Sequence, residues 1–151
     1  MIRMATLEDV TPLAVLGEVM HSEGVFSNHD FDEDKVQFML KSYIESEEKL
    51  SLVDEDIVTD DGITGMFFAN LSKHYFGQTT LAIEQNMYIH PLHRGGSTAL
   101  RFMKKFEHWA RYNDAEVLLF MPCNNGVRNG WDKFAQKNGY TQTGYIFQKD
   151  L

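Results

Sequence analysis

The sequence contains a single cysteine, Cys123, among its 151 residues, and this scarcity excludes several kinds of site. One cysteine cannot form an intramolecular disulfide or a multi-cysteine zinc site, so the cytoplasm, a reducing compartment, is the expected location. No apolar run approaches the roughly 20 residues that span a bilayer. Residues 1–8 also lack the charged and apolar regions of a signal peptide. The sequence therefore predicts neither membrane insertion nor secretion.

Basic residues are also few, with 14 Lys and Arg against 22 Asp and Glu, a formal net charge of −8 and a pI near 5.1. A nucleic-acid surface needs clustered Lys and Arg, so no nucleic-acid partner is expected. The negative field suits a cationic partner, although many proteins carry such charge simply to remain soluble. With 43% hydrophobic and 13% aromatic residues, residues 1–151 fit one globular domain with its own core.

The six histidines do not form a recognisable metal motif. His90 and His93 are three residues apart in a proline-containing loop, and the other four show no spacing typical of ligands. No metal site is therefore expected.

Hydrophobic periodicity in the first half of the chain predicts two helices and an antiparallel hairpin. Thr6 is a candidate cap for the first helix, Gly24 ends it, and Asp32 opens the second. The composition of residues 59–62 is typical of a turn between two strands. The predicted elements are a strand at 2–4, a helix that follows the Thr6 cap and ends at Gly24, a helix at about 32–46, and strands at 50–58 and 63–71.

The second half predicts a helix-strand alternation. Glu84, Gln85 and Asn86 interrupt a strand at 79–89, and such a polar break can mark a β-bulge. The apolar residues 115–121 do not alternate with polar ones, which predicts a strand buried on both faces. The remaining elements are an amphipathic helix at 97–112, a helix at about 129–137 that ends at Asn138-Gly139, and a terminal strand at 141–149.

Residues 89–100 read Ile-His-Pro-Leu-His-Arg-Gly-Gly-Ser-Thr-Ala-Leu and connect a strand to the amphipathic helix. Glycines let backbone approach a ligand closely, and the free amides of a helix N-terminus attract phosphate oxygens. This context favours pyrophosphate binding. The segment lacks the Gly-Lys-Ser/Thr of a P-loop and the spaced glycines of a Rossmann fingerprint.

The same segment resembles the acetyl-CoA loop of the GNAT superfamily, which typically reads V-x-P-x-x-R-G-x-G-x-G/A-x-x-L. Residues 2–9 are similar to the usual GNAT opening, and residues 134–140 to the closing Y-x-K-x-G-F region. The resemblance covers most of the chain and implies an α/β (α+β) GNAT-like acyl-CoA N-acyltransferase fold, with a mixed, mostly antiparallel sheet flanked by helices. The residues that match the loop in register are Ile89, Pro91, Arg94, Gly95 and Ala99.

The resemblance implies an N-acetyltransferase that moves an acetyl group directly from acetyl-CoA to a primary amine of a small molecule or a protein. It also implies that Arg94 supports the coenzyme loop, and that residues 24–43 shape the choice of acceptor. The implied coenzyme contacts are the amides of Gly95, Gly96, Ser97, Thr98 and Ala99 for the pyrophosphate, the backbone of Met87, Tyr88 and Ile89 for the pantetheine arm, and the side chains of Asn124 and Asn129.

Two positions depart from the GNAT pattern. Ser97 replaces the second glycine, where it can cap the helix or donate to a phosphate. Ala135 replaces a Tyr that protonates the departing thiolate in many relatives. Tyr140, Tyr145 or water are alternative acids, and a thiolate that leaves unprotonated is another.

The sequence also leaves the general base open. Relatives often carry an acidic residue on the strand at 79–89, but direct alignment places Gln85 at that site and Glu84 on the opposite face. A bulge would bring Glu84 to the site and make it a candidate catalytic residue. Without a bulge, Glu84 is a solvent-facing strand residue.

Two other hypotheses compete with catalysis. The chain can be a non-catalytic GNAT-fold protein that binds coenzyme A or a macromolecular partner. It can also be an unrelated α/β module in which residues 94–96 only turn the chain or hold another phosphate. Edge pairing through the predicted terminal strand offers a route to a homodimer.

Overall fold

The computed structural model describes residues 1–56, 62–121, 128–144 and 148–149, with side chains in the last helix from residue 131 onward. They belong to two compact units, Met1–Met121 and Pro122–Leu151. The strands are β1 (Ile2–Met4), β2 (Lys49–Asp56), β3 (Gly62–Lys73), β4 (Thr80–Ile89) and β5 (Val117–Leu119), and the α-helices are α1 (Val10–Glu23), α2 (Glu33–Ile44), α3 (Thr98–Tyr112) and α4 (Arg128–Lys137).

The strands form one mixed sheet in the order β1-β2-β3-β4-β5. The pairs from β1 to β4 are antiparallel, whereas β4 and β5 are parallel. A parallel pair needs a long crossover connection, and α3 supplies it. The loop before α3 therefore lies at the carboxyl end of β4, beside the only parallel pair in the described sheet.

Both faces of the sheet are covered in the first unit, because neighbouring residues of a strand point to opposite sides. Phe68 lies on the face that packs against α1 and α2, where its ring makes an edge contact with Tyr43. Phe67 lies on the opposite face, with its ring centroid 5.8 Å from that of Phe102 and 5.1 Å from that of Phe106. The amphipathic pattern that predicted α3 is thus confirmed as a stripe packed against the sheet.

The predicted helix ends are confirmed except at the start of α1. Thr6 is the N-cap of a short 3-10 turn, Leu7–Asp9, whereas Asp9 is the N-cap of α1, and the Thr6 amide donates to the Asp9 carboxylate over 2.7 Å. The Asp32 side chain accepts from the Lys35 amide over 2.9 Å at the start of α2. Gly24 follows the last residue of α1.

Two strand predictions are wrong in part. β5 is shorter than predicted, and Val117 is 42% exposed because β5 pairs on one side only within the described sheet. Residues 141–144 and 148–149 are not extended into a strand, while 145–147 lie outside the described residues. The homodimer route through that segment stays a prediction.

Across the described ranges, no helix has the length and apolar composition needed to cross a membrane.

We predict that Phe67→Ala lowers the free energy of unfolding by about 3 to 5 kcal/mol, because it leaves a cavity between the sheet and α3. Phe76→Ala is the matched control, since the Phe76 side chain is 86% exposed whereas Phe67 is 0% exposed. Urea denaturation measures both variants. Equal effects of the two substitutions would contradict the assigned core.

Candidate active site

A β-bulge interrupts β4 at Gln85. Phe68 of β3 lies opposite Asn86, and the next residue, Ala69, lies opposite Glu84, so Gln85 is the extra residue. An inserted residue reverses the alternation of side chains, which places Glu84 and Asn86 on opposite faces of the sheet. The bulge indicated by the polar sequence is therefore confirmed, and Glu84 lies on the face of Ala69 and α3.

Glu84 is a buried carboxylate at the point where β4 and β5 separate. Its residue is 4% exposed, and its Oε2 accepts a hydrogen bond from the Met121 amide over 3.0 Å. Burial raises the pKa of Glu84 to about 7, against a smaller opposing effect of the Met121 amide. The alternative that Glu84 faces solvent is wrong. A carboxylate with this pKa can accept a proton near neutral pH.

Beyond the bulge, the described part of β5 no longer pairs with β4. The β4–β5 ladder joins Leu81, Ala82 and Ile83 to β5. The His90 amide donates to the Thr64 carbonyl over 2.8 Å. Because backbone direction alternates along an antiparallel ladder, the backbone groups of Tyr88 also point toward β3, and those of Met87 and Ile89 point to the edge of β4 that faces away from β3.

The loop before α3 exposes backbone next to this edge. It begins with a 3-10 turn at Pro91–His93, and Gly95 then adopts a φ of +88°, a conformation that L side chains rarely take. A Cβ at Gly95 or Gly96 would meet no described atom within 4 Å. Ser97 occupies the N-cap position without a capping bond from its side chain, and Ala99 lies in the first turn of α3. The amides of this turn have no partner within the helix, so they can bind an anion.

Thr98, the first residue of α3, is anchored to β2. Its hydroxyl donates to Oδ2 of Asp54 over 2.7 Å, and Nη2 of Arg101 lies 3.2 Å from the same oxygen. Asp54 is only 6% exposed and Thr98 is 8% exposed. This contact fixes the start of α3, and it occupies the Thr98 hydroxyl, so only the backbone amide is available for a ligand.

Arg94 turns back over the end of β4. Its Nε donates to the Ile89 carbonyl over 2.8 Å, and its Nη2 lies 2.5 Å from Oε2 of Glu23, the last residue of α1. The Tyr88 hydroxyl donates to the same Glu23 oxygen over 2.8 Å. Arg94 therefore links the loop to both β4 and α1.

The remaining sequence-predicted residues belong to the second unit. The Tyr140 amide donates to the Ala135 carbonyl over 2.9 Å, and the ring of Tyr140 lies 5.9 Å from that of Phe134, centroid to centroid. Asn129 lies in α4, but its side chain is not described, and Asn124 and Tyr145 lie outside the described residues. These assignments stay predictions.

Sequence reasoning missed Glu23 and Asp54. Asp54 interrupts an apolar run in β2, and a polar residue inside a buried strand is a signal that can be recognised. Glu23 carries no such signal, because its two partners lie 65 and 71 residues away in sequence.

The rings of His90 and His93 lie 5.9 Å apart, centroid to centroid, and the described residues include no group of three metal-ligating side chains.

We predict that Glu84→Gln stabilises the protein by about 2 kcal/mol at pH 8 and has little effect at pH 5. In the native state the pKa of Glu84 is raised from 4.5 to about 7. The stability associated with the protonated carboxyl is therefore complete below pH 4.5 and is lost as the pH rises through about 7.

Urea denaturation at both pH values measures this difference. Glu18→Gln, on the exposed side of α1, is the matched control. A stabilisation by Glu84→Gln that is the same at pH 5 and pH 8 would contradict the raised pKa.

Comparison with known proteins gives a structural likeness without a sequence match. No family model matches the chain, and no curated protein matches it by sequence. Aminoglycoside antibiotic 6'-N-acetyltransferase AAC(6')-IG from Acinetobacter haemolyticus aligns with a TM-score of 0.73 at 15% identity, over 100% of this chain and 99% of that chain.

Two further solved structures align over the whole chain. AAC(6')-Iy, in complex with the bisubstrate analogue CoA-S-monomethyl-acetylneamine, aligns with a TM-score of 0.74 at 12% identity and 97% coverage of that chain. A transcriptional regulator from Bacillus halodurans aligns with a TM-score of 0.75 at 14% identity and 99% coverage. The fold expected from the sequence is confirmed: this chain has the fold of the GNAT acetyltransferases.

Proposed function

We propose that this protein is an N-acetyltransferase that transfers an acetyl group from acetyl-CoA to a primary amine. The proposal is supported by the edge of β4 at Ile89, which lies beyond the described β4–β5 ladder and beside the glycine loop, residues 94–97, at the N-terminus of α3. An extended, amide-containing ligand that ends in a pyrophosphate complements both features. The pantetheine arm of coenzyme A has this chemistry.

In the proposed complex, the pantetheine arm lies along Met87, Tyr88 and Ile89 and pairs with the backbone of Ile89, as an added strand pairs with a sheet edge. The pyrophosphate binds the amides of residues 95–99, where the missing side chains of Gly95 and Gly96 allow close approach. The Ile89 carbonyl already accepts from Arg94, so the Ile89 amide is the group that this residue offers. The residues present therefore fit the cosubstrate.

Glu84 is the proposed general base. A neutral amine attacks the thioester carbonyl carbon and forms the C–N bond, and the amine proton passes to Glu84 directly or through water. The intermediate then collapses, the C–S bond breaks, and coenzyme A leaves with the bonding electron pair. The pKa of about 7 suits Glu84 to this role.

The acid that protonates the departing thiolate stays open among Tyr140, Tyr145 and water, and the thiolate can also leave unprotonated. Tyr88 is unsuited, because burial and then its hydrogen bond to Glu23 raise the pKa of its hydroxyl to about 12. Its proton is held by the Glu23 carboxylate. Ala135 has no ionisable group to supply.

The acceptor in this proposal is a small-molecule or protein amine that is cationic in solution and reacts after it has lost a proton. The net charge of −8 favours such a ligand electrostatically. Two of the structural neighbours carry names or ligands that indicate aminoglycoside chemistry. A non-catalytic coenzyme A-binding protein is the second candidate, favoured by Ala135 and by the neighbour named as a transcriptional regulator.

We predict that acetyl-CoA raises the melting temperature of the protein, and that an amine panel reveals acceptor-dependent release of coenzyme A, measured with a thiol reagent. Gly95→Trp abolishes both effects, because the indole fills the space proposed for the pyrophosphate. Gly77→Trp, at another exposed glycine with open space around it, is the matched control and retains both.

Binding without release for every amine tested would favour the non-catalytic alternative. Absence of acetyl-CoA binding to the unmodified protein would contradict the proposed function.

We predict that kcat/KM rises with pH through a pKa of about 7, because Glu84 must be deprotonated to act as a base. Glu84→Gln lowers kcat about 100-fold or more and removes this ionisation from the profile. Steady-state rates between pH 5 and 9 measure both effects, with Glu18→Gln, at an exposed position of α1, as the control. An unchanged profile in Glu84→Gln would exclude Glu84 as the base.

A further inference from the structure

Glu23, the C-terminal residue of α1, joins three separate parts of the site. One oxygen, Oε2, accepts from the Tyr88 hydroxyl over 2.8 Å and lies 2.5 Å from Nη2 of Arg94. The same Arg94 side chain donates through Nε to the Ile89 carbonyl over 2.8 Å. These contacts connect the end of α1, the end of β4 and Arg94, which is the first residue of the glycine loop.

The loop has little side-chain packing of its own. A Cβ at Gly95 or Gly96 would find no described atom within 4 Å, and the Ser97 side chain makes no capping bond. At the start of the loop, His93 Nδ1 lies 3.9 Å from Oδ2 of Asp56 on β2. Next to the glycines, the long side chain of Arg94 ties the loop to β4 and α1. The amides bind an anion well only if they are held in place before it arrives.

The charges in this cluster favour one arrangement. The contact with Arg94, followed by that with Tyr88, holds the pKa of Glu23 below its ordinary value, so Glu23 is anionic over the assay range. Tyr88 stays protonated and can only donate to it. The Arg94 guanidinium also lies over the Tyr88 ring, 5.2 Å from its centroid. Carboxylate and ring together hold the planar guanidinium in one orientation.

We infer that Glu23 is a positioning residue that orients Arg94 and thereby holds the glycine loop in the conformation that binds the pyrophosphate of acetyl-CoA. This inference rests on the proposed function, because it assigns the loop its ligand. Glu23 lies beyond the loop and makes no contact with the proposed pyrophosphate. Its effect is on the binding of acetyl-CoA rather than on the chemical step.

The test compares Glu23→Gln with Glu18→Gln, the same substitution on an exposed position of the same helix. We expect Glu23→Gln to raise the KM for acetyl-CoA about fivefold while kcat changes less than twofold, and Glu18→Gln to change neither. The coenzyme A dissociation constant, measured by calorimetry, should rise by the same factor. Because the contact is partly exposed, the difference should shrink at high salt.

Two further variants separate positioning from a general loss of stability. Arg94→Lys keeps the charge but cannot donate to Ile89 and Glu23 together, so Glu23→Gln should have little additional effect in the Arg94→Lys background. Tyr88→Phe keeps the ring and removes one donor, and a smaller increase in KM is expected. A fully additive double variant would overturn the inference.

Hydrogen exchange of the amides at residues 94–97, measured without ligand, supplies a readout that does not depend on activity. Glu23→Gln should accelerate exchange there, and Glu18→Gln should not. Unchanged exchange together with unchanged acetyl-CoA affinity would overturn the positioning role. If the unmodified protein binds no acetyl-CoA, the proposed function fails, and the exchange data still decide whether Glu23 holds the loop.

Discussion

The end of the β4–β5 ladder at Ile83, in the described part of the sheet, is the constraint on which the rest of the site depends. The bulge at Gln85 follows immediately and reverses which side chains face α3. Together they place Glu84 just beyond the last paired residue of β4 and turn the Ile89 amide to the edge of β4 that faces away from β3. An extended ligand can pair with a strand edge of this kind.

The elements around this edge are held by polar contacts between distant segments. Asp54 on β2 anchors the first turn of α3 through Thr98, and Glu23 on α1 anchors the preceding loop through Arg94. The two contacts lie on either side of a loop whose glycines contribute little packing. Rigid attachment at both ends allows an exposed loop to keep the backbone conformation that anion binding requires.

The sequence predicted most of the helices and strands, because apolar periodicity and caps are local signals. The end of α1, the start of α2 and the packed face of α3 follow from Gly24, Asp32 and the stripe that includes Phe102 and Phe106. The GNAT fold was also expected, from the resemblance of residues 89–100 to the acetyl-CoA loop of that superfamily. The exposure of β5 could not be predicted, because an apolar run indicates a preference for burial but not the number of strands that flank it.

The chemistry of the site was less predictable than its fold. Glu84, Gln85 and Asn86 indicated a bulge, but the burial of Glu84 depends on Met121 and the divergence of β5, which are long-range features. Glu23 and Asp54 act through partners far away in the chain, so no local pattern identifies them. Sequence patterns locate a loop and its helix, whereas the contacts that position the loop are set by tertiary structure.

Amide hydrogen exchange along β4, with and without acetyl-CoA, tests the central claim most directly. We predict that the Ile89 amide gains protection when acetyl-CoA is added, because it then pairs with the pantetheine arm. The Tyr88 amide should already be protected by β3 in the free protein. Unchanged exchange at Ile89 in protein saturated with acetyl-CoA would contradict the claim that this edge of β4 is the coenzyme site.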